Sequence, residues 1–225
     1  MTRLSLFAVA IWVFVGVAPP PASAQTPEEW FEKAQTLDKQ GFLDEAAEAW
    51  EKFAATGADS KRITYARLKL VGNYFKLNLF QKSIDTARAA VQADRENFDA
   101  YFHLANALSG IRKFPEAIAA FRKTTALKPE EGLGYVGLGL CLFGNRNSEE
   151  AIKVILQANK LFKKKKNISW HRDTRVMVAQ IKNFAKFPPN FSDLWVTNNL
   201  KLVRDTYEKT VFDPKEYLRS SAEGQ

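Results

Sequence analysis

The residues of this chain whose types could carry chemistry are few: His103, His171, Cys141, glycines at 132, 134, 137 and 139, and the run Lys163-Lys164-Lys165-Lys166. A metal site needs His, Cys or carboxylate groups at ligand spacing, and the two histidines lie far from each other and from the cysteine. A cysteine becomes a nucleophile when a cation or base beside it stabilises the thiolate. Cys141 stands between Leu140 and Leu142 and is expected to be a packed thiol. The glycines have the density of a nucleotide loop, but they alternate with Leu and Tyr, and no strand pattern precedes them. No catalytic constellation, metal-ligand set or cofactor motif emerges, and the chain is not expected to be an enzyme. The basic patch Lys163, Lys164, Lys165, Lys166, Arg172 and Arg175 could meet anionic lipid headgroups, a polyanionic glycan or an acidic protein. With Trp170 and His171 interleaved it would also suit nucleic acid. Its plain structural role is a solvated helix end, where cations suit the helix dipole.

These residues sit in a chain that begins with the marks of export. Arg3 gives a positive start, Leu4 to Val17 is apolar apart from Ser5 and Gly16, and Ala22-Ser23-Ala24 offers small residues before a cut at Gln25. The apolar run is shorter than the ~20 residues that span a bilayer. Residues 1–24 are therefore expected to be a cleavable signal peptide, and the mature protein periplasmic or secreted. Export argues against nucleic acid as the ligand of the basic patch. With Cys141 as the only cysteine, no internal disulfide is possible. The net charge of +8 is local: residues 160–186 hold nine basic residues against the single acid Asp173, and elsewhere the signs nearly cancel.

Self-similarity organises the rest. Phe42-Leu43-Asp44-Glu45-Ala46-Ala47, Phe80-Gln81-Lys82-Ser83-Ile84, Phe114-Pro115-Glu116-Ala117-Ile118 and Asn147-Ser148-Glu149-Glu150-Ala151-Ile152 align, with Trp30, Arg67, Tyr101 and Tyr135 upstream of them. Each unit has two runs with apolar residues three and four apart, the mark of a one-sided helix, separated by a polar or glycine-bearing turn. A small residue (Ala46, Ser83, Ala117, Ala151) would let the two helices cross closely. Glycines lower helix propensity, so the first helix of the fourth unit is expected to be the least stable part of the array.

The pattern resembles the tetratricopeptide repeat family. The third unit carries it best, in Tyr101, Leu104, Ala105, Leu108, Phe114, Ala117, Phe121 and Pro129. The fourth has Tyr135, Leu138, Gly139, Leu142, Ala151, Ile155 and Ala158; the first has Trp30, Ala34, Leu37, Gly41, Ala46 and Trp50. The resemblance implies an all-α fold, a right-handed superhelical stack of helical hairpins at about 27–60, 64–97, 98–131 and 132–163, within a repeat region 25–163. Residues 164–225 would form a basic linker and C-terminal capping helices. One such helix is expected from Trp170 to about Phe184, capped by Ser169. Another is expected after Ser192, with Leu194, Trp195, Leu200, Val203 and Tyr207 apolar.

In this family the first helix of each hairpin lines a concave face. The resemblance places Glu28, Phe31, Gln35 and Asp38 there, then Tyr65, Leu68, Gly72 and Phe75, then Asp99, Phe102, Asn106 and Ser109, and finally Leu133, Val136, Leu140 and Phe143. The face thus turns from polar to apolar along the array. A bare apolar patch of this kind is covered by something: a partner's peptide or helix, an apolar small molecule, or the chain's own tail. The expected partner-binding groove is Leu68, Phe75, Phe102, Asn106, Leu133, Val136, Leu140 and Phe143. The expected function is an exported scaffold or adaptor that binds a protein segment there, in an envelope assembly. Attachment to an anionic membrane or glycan surface through 160–186 stands as the alternative. The sequence leaves the oligomeric state open.

Overall fold

The computed structural model describes residues 25–219 apart from Pro189; the expected signal peptide at 1–24 lies outside the described residues. Eight helices come first: α1 (Pro27–Gln40), α2 (Leu43–Ala54), α3 (Ser60–Lys76), α4 (Phe80–Ala93), α5 (Phe98–Gly110), α6 (Phe114–Leu127), α7 (Gly132–Gly144) and α8 (Ser148–Lys164). Their starts follow from the residues ahead of them. Thr26 and Glu29 form a reciprocal capping box on α1, with Pro27 in the first turn, where its missing N–H costs nothing. Asp59, Asn97, Glu131 and Asn147 cap α3, α5, α7 and α8 with side-chain oxygens.

Within each hairpin the turn has one geometry. Gly41, Asn78, Arg112 and Arg146 take left-handed φ values of 83°, 61°, 61° and 66°. The next residue's N–H then reaches the carbonyl five residues back: Phe42 to Leu37, Leu79 to Tyr74, Lys113 to Leu108 and Asn147 to Leu142, all at 2.8–3.0 Å. This bond satisfies a carbonyl that the end of the helix would otherwise strand. Lys166 (φ 56°), with Asn167 bonded to Phe162, repeats the turn after α8. The last lysine of the basic run is therefore a turn residue, and the chain folds back once more.

That return is α9 (Ile168–Lys182), capped by Asn167, followed by a 3-10 turn at Phe184–Lys186. It starts two residues before the expected start and ends two before the expected end, because Asn167 outcompetes Ser169 as the cap. Val176 and Phe184 are exposed; the buried stripe is Trp170, Thr174, Met177, Val178 and Ile181. Then come α10 (Phe191–Thr210) and the short α11 (Lys215–Leu218). Ser192 lies inside α10 and does not cap it, and Leu194 is 60% exposed, off the buried stripe Val196, Leu200, Val203 and Tyr207.

Helices pack in chain order from α1 to α9, so the molecule is an all-α stack of paired helices. Ala46, Ser83, Ala117 and Ala151 are fully buried where paired helices cross, and the Ser83 hydroxyl donates to the Val71 carbonyl at 2.9 Å. The odd-numbered helices α3, α5 and α7 also touch one another along the inner side of the curve. There α10 lies against α7 and α5, and α11 against α3. The tail thus does not only close the end of the stack; it runs back along the concave face.

The helix of lowest intrinsic propensity is the most enclosed. Every residue of α7 from Gly132 to Phe143 is buried, between α6, α8 and α10. Its glycines are seats for neighbouring side chains. A Cβ on Gly132 would stand 2.5 Å from the Phe162 ring, and one on Gly137 would stand 2.4 Å from the Phe121 ring. The expectation of a weak helix considered propensity alone, and tertiary packing overrides it.

Candidate binding groove

The concave face is built from one side of α3, α5 and α7, where helical periodicity brings residues three and four apart onto one stripe. Leu68, Phe102, Asn106, Leu133, Val136, Leu140 and Phe143 are all buried there, and Phe75 is half-buried. The structure places all eight expected groove residues on one side of α3, α5 and α7, and the chain's own α10 lies over the α5 and α7 part of it. This is the third of the occupants the sequence left open.

The direction of α10 follows from its ring contacts. Near its start, Trp195 meets Phe143 of α7 edge-on at 5.4 Å, and its indole N–H donates to Gln180 at 2.9 Å. Near its end, Tyr207 stacks on Phe102 at 3.8 Å and 20°. Since Phe143 ends α7 and Tyr207 lies beside Phe98 and Phe102 at the start of α5, α10 runs antiparallel to both. Each fully buried apolar side chain of this kind contributes ~1.5–3 kcal/mol. Asn106 does not reach toward a ligand; its amide donates to the Phe102 carbonyl at 2.8 Å, within its own helix.

Polar contacts fix the register. The buried carboxylate of Asp99 accepts from the Tyr207 hydroxyl and, at 2.6 Å, from the Tyr217 hydroxyl of α11. Burial is the main reason both phenols lie well above the ordinary value near 10, and the adjacent Asp99 charge adds to it. At the other end Arg112, in the turn between α5 and α6, pairs with Asp193 at 2.6 Å. That guanidinium hydrogen bond holds the exposed Asp193 carboxyl below its usual range. After α10, Phe212 stacks on Tyr65 of α3 at 6.0 Å and 7°. His103 Nε2 lies 3.3 Å from Glu208 but is not aligned for a hydrogen bond, and the ring stands edge-on to Tyr207 and Phe212. The sequence placed Asp99 on this face but gave no sign of its two tyrosine partners, because they lie more than a hundred residues away.

The tail does not seal the groove. Between α3 and α10 a cleft of ≈ 240 Å³ remains, lined among others by Leu68, Lys69, Asn73, His103, Arg204 and Glu208. A neighbouring hollow of ≈ 220 Å³ is lined by Phe75, Phe80, Asn106 and Leu200. Arg204 separates the two, its guanidinium 4.3 Å from the Phe75 ring centre. On the polar half of the face, the Asp38 carboxylate accepts from Trp50 (3.0 Å) and Asn73 (2.7 Å) and pairs with Lys69 (3.1 Å). Lys69 is thus engaged within the chain.

The other expected residues lie elsewhere. Cys141 is fully buried, and burial raises its thiol far above the ordinary value, which keeps it protonated and inert. Among the described residues no group of three or more His, Cys, Asp or Glu side chains could hold a metal ion. Lys163 and Lys164 end α8, Lys165 and Lys166 form the turn, and Arg172 and Arg175 follow on α9; all are exposed. Lys165 stands 3.4 Å from Glu131 and Arg172 3.1 Å from Asp173. Sequence reasoning left the tail as one of three occupants of the groove; what it missed is the register of α10 there, set by Tyr207 on Phe102 and Asp99 and by Trp195 on Phe143.

Residues 104–162 match the profile of the tetratricopeptide repeat family. No curated protein matches the chain. Among solved structures, a crystal structure of MamA is similar at 25% identity and a TM-score of 0.58, covering 63% of this chain and 81% of that one. MamA from residue 41 to its end, from Desulfovibrio magneticus RS-1, is similar at 16% identity and 0.61, covering 85% of this chain and 100% of that one. YrrB, described as a TPR protein with an unusual peptide-binding site, is similar at 17% identity and 0.54, covering 60% and 69%. Over residues 104–162 the chain is thus similar to tetratricopeptide repeat proteins, within an all-α stack of paired helices whose superhelical form resembles that of MamA.

Proposed function

We propose that the protein is an interaction scaffold whose concave groove holds an amphipathic helix of a partner protein, and that α10 fills this groove in the free chain. The observation that carries this reading is the seating of α10 itself: a one-sided helix laid in a groove, anchored by Val196, Leu200, Val203 and Tyr207. That is how an amphipathic helix is recognised in a groove, by anchors three, four and seven apart. A helix satisfies its backbone internally, so its exchange for another helix exposes side chains and breaks no ladder. The cleft beside α3 leaves one wall of the groove open as a foothold. A peptide-binding site in YrrB, on a similar fold, supports the same use of the architecture.

The test uses a synthetic peptide of residues 190–219 as the probe. A Val203→Asp, Tyr207→Ala variant should unseat its own α10 and bind the peptide at least tenfold more tightly than the unaltered chain, whose apparent affinity is reduced by its small open fraction. Circular dichroism checks that α1–α9 remain folded. A folded variant that binds the peptide no better than the unaltered chain would sink the exchangeable-groove reading.

We further infer that the scaffold works outside the cytoplasm, in an envelope-associated assembly. The support is the arrangement of Arg3, the apolar run to Val17 and the small residues at Ala22 and Ala24. The intact mass of the protein recovered from its cell should match a chain starting at Gln25; a chain retaining residues 1–24 would contradict this.

A further inference from the structure

The outward face of α9 is left without a packed neighbour. Its inner stripe rests on α8, while Ile168, Arg172, Arg175, Val176, Ala179 and Lys182 are exposed. At ~100° per residue these six fall within an arc of roughly 120° on the side opposite the buried stripe. The end of α8 and the turn ahead of the face hold Lys163 to Lys166, and Lys186 with exposed Phe184 and Phe187 follows it. Asp173 is the only acid between residues 160 and 186, and it is engaged with Arg172. Among the described residues, Lys163, Lys164, Lys166, Arg175 and Lys182 enter no ion pair. Nearly all of the chain's excess positive charge is therefore displayed on one end of the stack.

We propose that this face docks the protein on the surface of an anionic lipid bilayer. Charge alone would suit any polyanion; the apolar residues set among the cations decide for lipid. Ile168 is 81% exposed directly beside the lysine turn, and Val176 is 48% exposed between the arginines and Lys182. A solvated helix end has no use for a bare isoleucine there. At a membrane the same pattern is complementary: the cations meet lipid phosphates while the apolar side chains enter the headgroup–acyl boundary. No helix among the described residues is long and apolar enough to cross a membrane, so the attachment is peripheral. The docking face is separate from the concave groove, which would stay available to a partner.

The experiment is sedimentation of the full chain with vesicles of phosphatidylcholine alone or with about one third phosphatidylglycerol, read as the difference between the two so that any contribution of residues 1–24 to both cancels. The expected result is binding to the anionic vesicles alone, lost as salt rises toward 0.5 M because exposed charges are screened. Neutralising Lys163, Arg172 and Arg175 to Gln should weaken it on the order of a hundredfold, at about fivefold per cation. An Ile168→Asp, Val176→Asp variant should also lose the vesicles while keeping its salt-sensitive retention on immobilised heparin, used as a soluble-polyanion control. All five positions are exposed, and unchanged thermal midpoints would show that the fold is intact. Equal binding to both vesicle types, or no binding to either, overturns the proposal. So does an Ile168→Asp, Val176→Asp variant that binds vesicles as the parent does, which would leave a site for polyanions in general.

Discussion

A methyl group placed on Gly139 would stand 2.4 Å from Ile155 Cγ1 and 3.2 Å from the Ala151 carbonyl oxygen. At 2.4 Å something must shift, and Ile155 Cγ1 is the near part of a fully buried, β-branched side chain with no room to turn away; the carbonyl has to give only a few tenths of an ångström. Gly139→Ala should therefore destabilise the protein by about 2 kcal/mol despite its gain in helix propensity, the usual cost of forcing a methyl into a packed crossing. Urea unfolding measures this, and a variant as stable as the parent would contradict it. The need for a small residue at 139 was legible in the sequence, because its position in the repeat is where paired helices cross. The roles of Gly132, Gly137 and Gly144 were not: each accommodates a phenylalanine from another helix (Phe162, Phe121 and Phe114). Spacing along one helix carries no record of which ring arrives from the next. The same limit hid the partners of Asp99, two hydroxyls from the far end of the chain.

Among the elements, α10 separates what a sequence pattern decides from what it does not. Its apolar stripe was plain apart from Leu194, and its start was expected after Ser192, two residues later than Phe191. An apolar stripe fits the end of a stack as well as its groove, and the choice was made by complementary partners: Phe102 for Tyr207, Phe143 for Trp195 and Arg112 for Asp193. The two tyrosines give the seat a pH dependence. Their phenols are raised in the folded state, chiefly by burial and then by Asp99. The stability they contribute is fully present below their unfolded value near 10 and is lost as pH rises above it. The near-ultraviolet signal of the seated tail should thus hold from neutrality to about pH 10 and then decline. In a Tyr207→Phe, Tyr217→Phe variant the decline should be shallower. Equal slopes in the two proteins would show that these hydroxyls do not hold the tail. Tyr74, also raised and hydrogen-bonded to Glu51 far from α10, supplies the background common to both.

For the molecule as a whole, the repeat pattern was enough to specify an all-α superhelical stack, because one hairpin cannot bury its apolar face and a neighbour must do so. The composition of the inner face, polar at Asp38 and apolar at Leu140, also foretold that something had to cover it. It could not say what, since a partner helix and the chain's own tail present the same chemistry to Phe102 and Val136. The charge distribution was visible as well, but only the turn at Lys166 and the outward face of α9 turn it into a surface. The central claim is that α10 is an exchangeable occupant of a helix-binding groove, and native-state hydrogen exchange of the unaltered chain tests it most directly. The account predicts that the amides of α10 and α11 exchange together, through an opening of lower free energy than those of α5 and α7 beneath them. Exchange of α10 only through the same global unfolding that exposes α5 and α7 would contradict it and make the tail a permanent part of the core.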